Sequence, residues 1–207
     1  MLHFPQYETS NHRYTYPPTQ PFLSFFPQKC RIIYESDTIC EYLEQVYPGP
    51  VFRTFLPADP YLRAKTRMLT RINDLYIMPE AFFLMFTKPT PERVVSGLAL
   101  LDKEFNVIEG LLGEELADPN SYDPPAAGPF ICGKKITLGD VALATSLFAT
   151  LIFLPRFNKY DPFKGRPRLQ TWWSAILQDH DLQAVKKEVE TGLEIARQRL
   201  KAQDAKL

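Results

Sequence analysis

Apolar residues recur at helical intervals through most of this chain, most clearly after residue 60. From Pro91 the run Val94, Leu98, Leu101, Phe105, Ile108 and Leu112 advances in steps of 4, 3, 4, 3 and 4. That spacing keeps one face of a long helix apolar and marks it for packing beside another. Thr90-Pro91-Glu92 signals its start, with a capping residue, proline at the first helical position and an acid in the first turn. Asp59-Pro60 announces an earlier helix in the same way, after a linker at 57–60, and Leu62, Leu69, Ile72 and Tyr76 give it an apolar face. Pro79 predicts a kink, because its ring crowds the preceding turn and it has no N–H to donate. The helix starting at Thr137 differs: Val141 to Pro155 carries no charge, so it is apolar all round and predicts the centre of the domain. Two more helices follow, GRPRLQTWWSAILQ near 166–178 and a last one from Asp181 with Leu182, Val185, Val189, Ala196 and Leu200 on one face.

The part in front is less regular. Residues 1–30 are rich in Pro, Tyr and Phe with little periodicity, predicting irregular structure with one short strand. Arg31–Tyr34 (RIIY) reads as a strand, and ESDTICEYLEQVYPG as a helix with Ile39, Leu43 and Val46 on one side, ended by Pro48 and Gly49. Residues 113–129 predict a long surface loop with local mobility. The expectation is a mainly α fold with an α/β fragment ahead of it and no internal repeat.

Composition narrows the function. At 207 residues the chain holds one sizeable core or two small domains. Lys plus Arg and Asp plus Glu both total 24, a balance that gives no electrostatic footprint for nucleic acid or an anionic membrane. The charge-free segment is shorter than the roughly 20 residues of a bilayer span and is bracketed by Asp140 and Arg156, so it reads as core. The amino terminus shows no basic start followed by an apolar run, which excludes a signal-peptide reading. Cys30, Cys40 and Cys132 are an odd set without C-x-x-C spacing. They predict free, mostly buried thiols in a reducing, cytoplasmic setting. His3, His12 and His180 lie far apart and match no metal-ligand spacing, so no metal is expected.

Four groups of residues carry candidate chemistry. Thr137 and Asp140 have capping-box spacing, each side chain reaching the other's backbone N–H. Such a box suits a buried helix, whose first N–H groups need internal partners. Glu35 and Ser36 stand where a strand would feed a helix, with free N–H groups and the positive dipole end facing an anion. A carboxylate and a hydroxyl there can hold an amino-acid head; equally, Ser36 can be a helix cap and Glu35 a surface charge. Arg63, Arg67 and Arg71 form a same-sign row on one helix face, which calls for opposing acids such as Asp74, Glu41 or Glu44. After Pro79, the run AFFLMF with Phe82, Phe83, Met85 and Phe86 covers more than one face, as core packing or as the wall of an apolar pocket.

Three strings resemble one family. FICGKKITLGDVAL, with Gly133 and the Thr137–Asp140 box, resembles the helix-capping segment of the cytosolic glutathione transferase superfamily. ESDTICEYL is similar to that family's glutathione-gripping strand–helix corner, and YPPTQPFLSF to the segment around its cis-proline. RPRLQTWW fits the same pattern. The resemblance covers roughly residues 30–200. It implies a mainly α fold: an all-helical glutathione-transferase C-terminal domain at 58–207, preceded by a partial thioredoxin-like domain at 1–50. It implies glutathione as co-substrate without a further cofactor, bound by Glu35 and Ser36 and by Gln20 and Pro21, and a homodimer. The partner would be a small apolar electrophile. Only twenty residues precede Pro21, too few for the strand, helix and strand that carry the family's catalytic residue, so that part is expected to be truncated. Tyr7, Ser10 and Tyr14 occupy no recognisable strand-to-helix junction, and no catalytic residue is named. Two function classes stand open: a transferase conjugating glutathione to the electrophile, or an inactive glutathione-transferase-fold module for binding or assembly.

Overall fold

A computed structural model describes residues 32–47, 53–113, 128–157 and 159–204. Gln20, Pro21 and Cys30 lie outside the described residues, as does most of the loop expected at 113–129. The chain divides into two compact units, Met1–Tyr34 and Glu35–Leu207. Of the first, only Ile32–Tyr34 is described, and there the expected strand is absent: these residues are coil, with Ile32 and Tyr34 69% and 73% exposed. A β-branched run becomes a strand only where a neighbouring strand takes its ladder hydrogen bonds, and none is found among the described residues.

The second unit is helical. Helix α1 (Ser36–Val46) is followed by α2 (Pro60–Ile72), a π-helical turn (Asn73–Ile77), α3 (Met78–Phe86) and α4 (Pro91–Gly113). Then come α5 (Leu138–Phe153), a 3₁₀ turn (Leu154–Arg156), α6 (Pro167–Ile176) and α7 (His180–Asp204). Asp59 caps α2 as its sequence predicts, its carboxylate accepting from the Leu62 N–H at 2.9 Å. The kink expected at Pro79 takes the form of the π turn. The Met78 N–H reaches back five residues to the Asn73 carbonyl, and the widened turn makes room for a proline ring that a regular α-helix would crowd.

Helix α5 is central, packing on α2, α3 and α7, while α4 packs on α3 and α6. Its largely apolar sequence makes Leu138–Arg156 long and apolar enough to cross a membrane, yet Leu143, Ala144, Leu147 and Phe148 are buried in the protein core. They meet Leu69, Leu101, Phe105 and Trp172 there. The stripe predicted for α7 starts as expected, with Leu182 buried and Val185 and Val189 half-buried against the core; the side chains of Ala196 and Leu200 lie outside the described residues.

The capping box forms, and its acid does more than cap. Asp140, fully buried, accepts from the Thr137 N–H at 2.9 Å and the Thr137 hydroxyl at 2.7 Å on one oxygen. Its other oxygen accepts from the Ile131 N–H at 3.0 Å and the Trp172 indole N–H at 2.8 Å. One carboxylate therefore joins the start of α5, the preceding turn and α6. Burial pushes its carboxyl pKa up, while the hydrogen bonds from Thr137, Ile131 and Trp172 pull it back. The turn before it pairs Phe130 with Gly133, and Gly133 takes φ +97°, a conformation disfavoured for a residue with a Cβ.

Candidate functional site

The start of α1 carries an unusual backbone. Glu35 sits at φ +68° and ψ +124°, a left-handed value that costs a non-glycine residue about 1–3 kcal/mol. Its carbonyl accepts the Ile39 N–H at 3.0 Å, so Glu35 holds the capping position and Ser36 is the first helical residue. Ser36 is therefore not the cap, the bland reading of its hydroxyl. Among the described residues no side chain caps this helix, and Asp37 is the acid in its first turn, near the positive end of the α1 dipole.

Ser36 lines a cavity of about 430 Å³ bounded by α1, the α2–α3 segment and α5. Its polar lining is Ser36, Asp37, Cys40, Asn73 and Asp74, with Thr145 and Ser146 of α5; its apolar lining is Met78, Phe82, Leu138, Val141 and Ala142. The π turn places Asn73 and Asp74 on one side of the opening, and the capping box fixes the α5 end that supplies the apolar wall. Asp37's carboxyl is raised, first by burial and then by Asp74 and Glu41, with Arg71 opposing. Cys40 is exposed, against the expectation of a buried thiol; partial desolvation still raises its thiol, with Asp37 and Glu44 adding to it, so this cysteine stays neutral and is a poor nucleophile.

The predicted arginine row resolves residue by residue. Arg67 forms a two-pronged pair with Glu41 at 2.6 Å for each contact, tying α2 to α1. Arg63 donates to the Pro57 carbonyl at 3.0 Å. Glu44 accepts instead from the Phe55 N–H at 3.1 Å. Of the run after Pro79, Ala81, Leu84 and Met85 are buried, while Phe82, Phe83 and Phe86 are 45%, 37% and 61% exposed. Phe82 stacks on Phe86 with ring centres 5.4 Å apart, and Phe83 lies under Arg93 at 4.3 Å.

A larger hollow of about 500 Å³ lies at Arg53, Lys134, Lys135 and Asp179. Its Arg53 is already engaged with Asp179 at 2.7 Å, and an apolar wall facing converging polar groups is what distinguishes the α1–α5 cavity as a small-molecule site. Among the described residues no group of three His, Cys, Asp or Glu could hold a metal ion. Of the residues singled out from the sequence, Ser36 lines the α1–α5 cavity and Glu35 precedes it at the helix start; Asp74 was read only as a counter-charge for the arginine row, and Asn73 and Met78 were not singled out. Only Pro79 pointed to them, since the distortion that aims them is the one it imposes.

Comparisons with known proteins agree with this architecture. Residues 101–185 match the family model for the glutathione S-transferase C-terminal domain. Glutathione S-transferase omega-1 of Sus scrofa is 36% identical over 75% of this chain and 56% of its own length. Omega-2 of Mus musculus is 48% identical over 44 residues, 21% of this chain and 16% of the relative. The chain thus spans less than two thirds of either relative. In structure, glutathione transferase Omega 3C from Trametes versicolor superposes with a TM-score of 0.57 at 20% identity, covering 83% of this chain and 67% of that one. The domain match, the omega-type relatives and the shared helical fold place this chain in the cytosolic glutathione S-transferase superfamily.

Proposed function

We propose that the protein binds glutathione at the start of α1 and conjugates it to a small apolar electrophile held in the adjoining cavity. The observation that carries this reading is the juxtaposition of Ser36, at an uncapped and backbone-strained helix start, with the apolar wall of Met78, Phe82, Leu138 and Val141. A helix start of this kind receives a carboxylate through its N–H groups and hydroxyl. Glu35 and Ser36 would hold the γ-glutamyl end, and Gln20 and Pro21, which lie outside the described residues, the cysteinyl part. Residues 1–50 are assigned to glutathione binding and 58–207 to the helical domain, in a cytoplasmic homodimer. No described side chain is assigned the activation of the glutathione thiol.

Calorimetry with glutathione, followed by turnover of an aryl halide, tests the reading on the purified chain. Binding in the millimolar range or tighter is expected, with Ser36→Ala weakening it roughly tenfold, as loss of a hydrogen bond to a charged group does. Glu35→Gly removes the strain at φ +68°, so it should leave thermal stability level or higher while lowering glutathione affinity. Absence of binding would overturn the proposal, and binding without turnover would identify a non-catalytic module.

A further inference from the structure

The apolar lining of the α1–α5 cavity continues outside it as a strip of aromatic rings. Phe82, which lines the cavity, stacks on Phe86 one turn further along α3, with ring planes 22° from parallel. The Phe86 ring lies 6.4 Å from that of Phe153 on α5, and the Arg156 guanidinium stands 4.7 Å over the Phe153 ring. On the α5 side, Ser146 belongs to the cavity and Phe153 follows two turns later, about 10 Å along the helix. Phe82 and Phe86 stay exposed while Phe153 is buried beside them, so the strip has a floor and an open face. Large apolar groups left open side by side mark a binding surface.

Arg156 gives the strip a charged end. Its Nε donates to the Phe153 carbonyl at 3.4 Å, which holds the guanidinium at the end of α5. Among the described residues no acid pairs with it, and both Nη groups lack a partner. Arg93 shows the contrast. It also stands over a ring, that of Phe83 at 4.3 Å, but its two Nη groups are taken up by Glu80 at 2.6 and 2.7 Å. Of the two ring-stacked arginines flanking the strip, Arg156 is the one with donors to offer.

We infer that this strip binds an elongated aromatic anion, its rings lying along Phe82 and Phe86 and a carboxylate or sulfonate at its far end pairing with the Nη groups of Arg156. A flat ring system stacks on a strip of flat rings, and a guanidinium already held over an aromatic face presents paired donors in the plane that such an anionic group accepts. An ammonium group at that end would meet repulsion. The inference rests on the proposed function for the use of the molecule: there it is the electrophile, its apolar body reaching into the cavity and its charge kept about 10 Å away, outside it.

The test uses two fluorescent probes that differ only in the anionic group: 8-anilinonaphthalene-1-sulfonate and N-phenyl-1-naphthylamine, the same ring system without the sulfonate. Titrated into the intact chain, the sulfonate is expected to bind roughly tenfold more tightly, as one charge-assisted contact provides. Arg156→Gln, a change at an exposed side chain, should abolish that preference and leave the neutral probe bound as before; Phe86→Ser should weaken both probes. Equal binding of the two probes to the wild-type protein, or a preference that survives in Arg156→Gln, would overturn the inference. A second arm, with glutathione present, compares 4-chloro-3,5-dinitrobenzoate with the uncharged 1-chloro-2,4-dinitrobenzene. The benzoate is expected to show the lower KM, and Arg156→Gln to raise it without changing that of the uncharged substrate. Turnover of both with equal KM would overturn the inference and leave the transferase proposal standing. Turnover of neither, with the Arg156-dependent sulfonate preference intact, would remove the transferase proposal and leave the aromatic-anion site.

Discussion

Asp140 shows how one side chain serves several elements at once. Four hydrogen bonds converge on its carboxylate, two from Thr137 and one each from Ile131 and Trp172. The sequence pattern T-x-x-D foretold the bond from the Thr137 N–H, since both partners lie within one turn; the one from the Thr137 hydroxyl is an addition the pattern does not state. The other two come from a residue nine positions back and an indole 32 positions on, which no local pattern encodes. Asp140→Ala would leave three buried N–H groups without an acceptor, so we expect a loss of roughly 3–5 kcal/mol in urea unfolding. A loss below ~1 kcal/mol would mean that water replaces the carboxylate. Glu35 is the counterpart at the other site. Its residue type was readable as chemistry, but its positive φ came only with the tertiary structure.

Between elements, contacts made at a distance replace the local signals that are missing. Helix α6 has no capping side chain of its own; Glu109 on α4 supplies the cap, accepting from the Arg168 and Leu169 N–H groups at 3.1 and 2.8 Å. Arg166, buried at the same junction, donates to Asn106 at 2.8 Å and to the Asp102 carboxylate at 2.6 Å. Helices α2 and α5 approach so closely that a Cβ on Gly139 would lie 2.5 Å from the Thr66 carbonyl. Gly139→Ala should therefore destabilise the fold by about 1–3 kcal/mol, as overpacking does, seen as a lower urea midpoint at unchanged slope. The α1–α2 link has a pH signature. The Arg67 hydrogen bond holds the Glu41 carboxyl below its ordinary value. The stability it contributes is thus complete above the usual glutamate range and disappears as pH falls through the lowered value. Acid titration of Glu41→Gln should show a shallower fall in stability below that range than the wild-type protein; parallel curves would show the pair to be energetically neutral.

Over the whole molecule, burial decides what an apolar sequence means. The α5 stretch passes a length-and-composition test for a membrane span, but its side chains are taken up by α2, α3 and α7, and it is a core helix. The apolar residues that stay outside have a pattern too. Tyr61, Met68 and Leu75 recur every seven residues along one side of α2 and the π turn, 57%, 41% and 49% exposed. We expect this face to carry the homodimer contact, with Met68→Glu, Leu75→Glu shifting the protein to monomer in sedimentation equilibrium. A wild-type protein that is monomeric at micromolar concentration would exclude it.

Helix positions, the start of α2, the capping box and the central place of α5 were determined by the sequence alone, because each depends on residues within one or two turns. The strand expected before α1 was misread for the complementary reason, since a strand exists only through a partner that its own residues do not specify. What the tertiary structure decided is the site. Ser36, Asp37 and Cys40 come from one helix, Asn73, Asp74 and Phe82 from a second segment, and Leu138 and Val141 from a third. A cavity is a relation among elements distant in the chain, and only their packing brings acceptors and an apolar wall to face the same space.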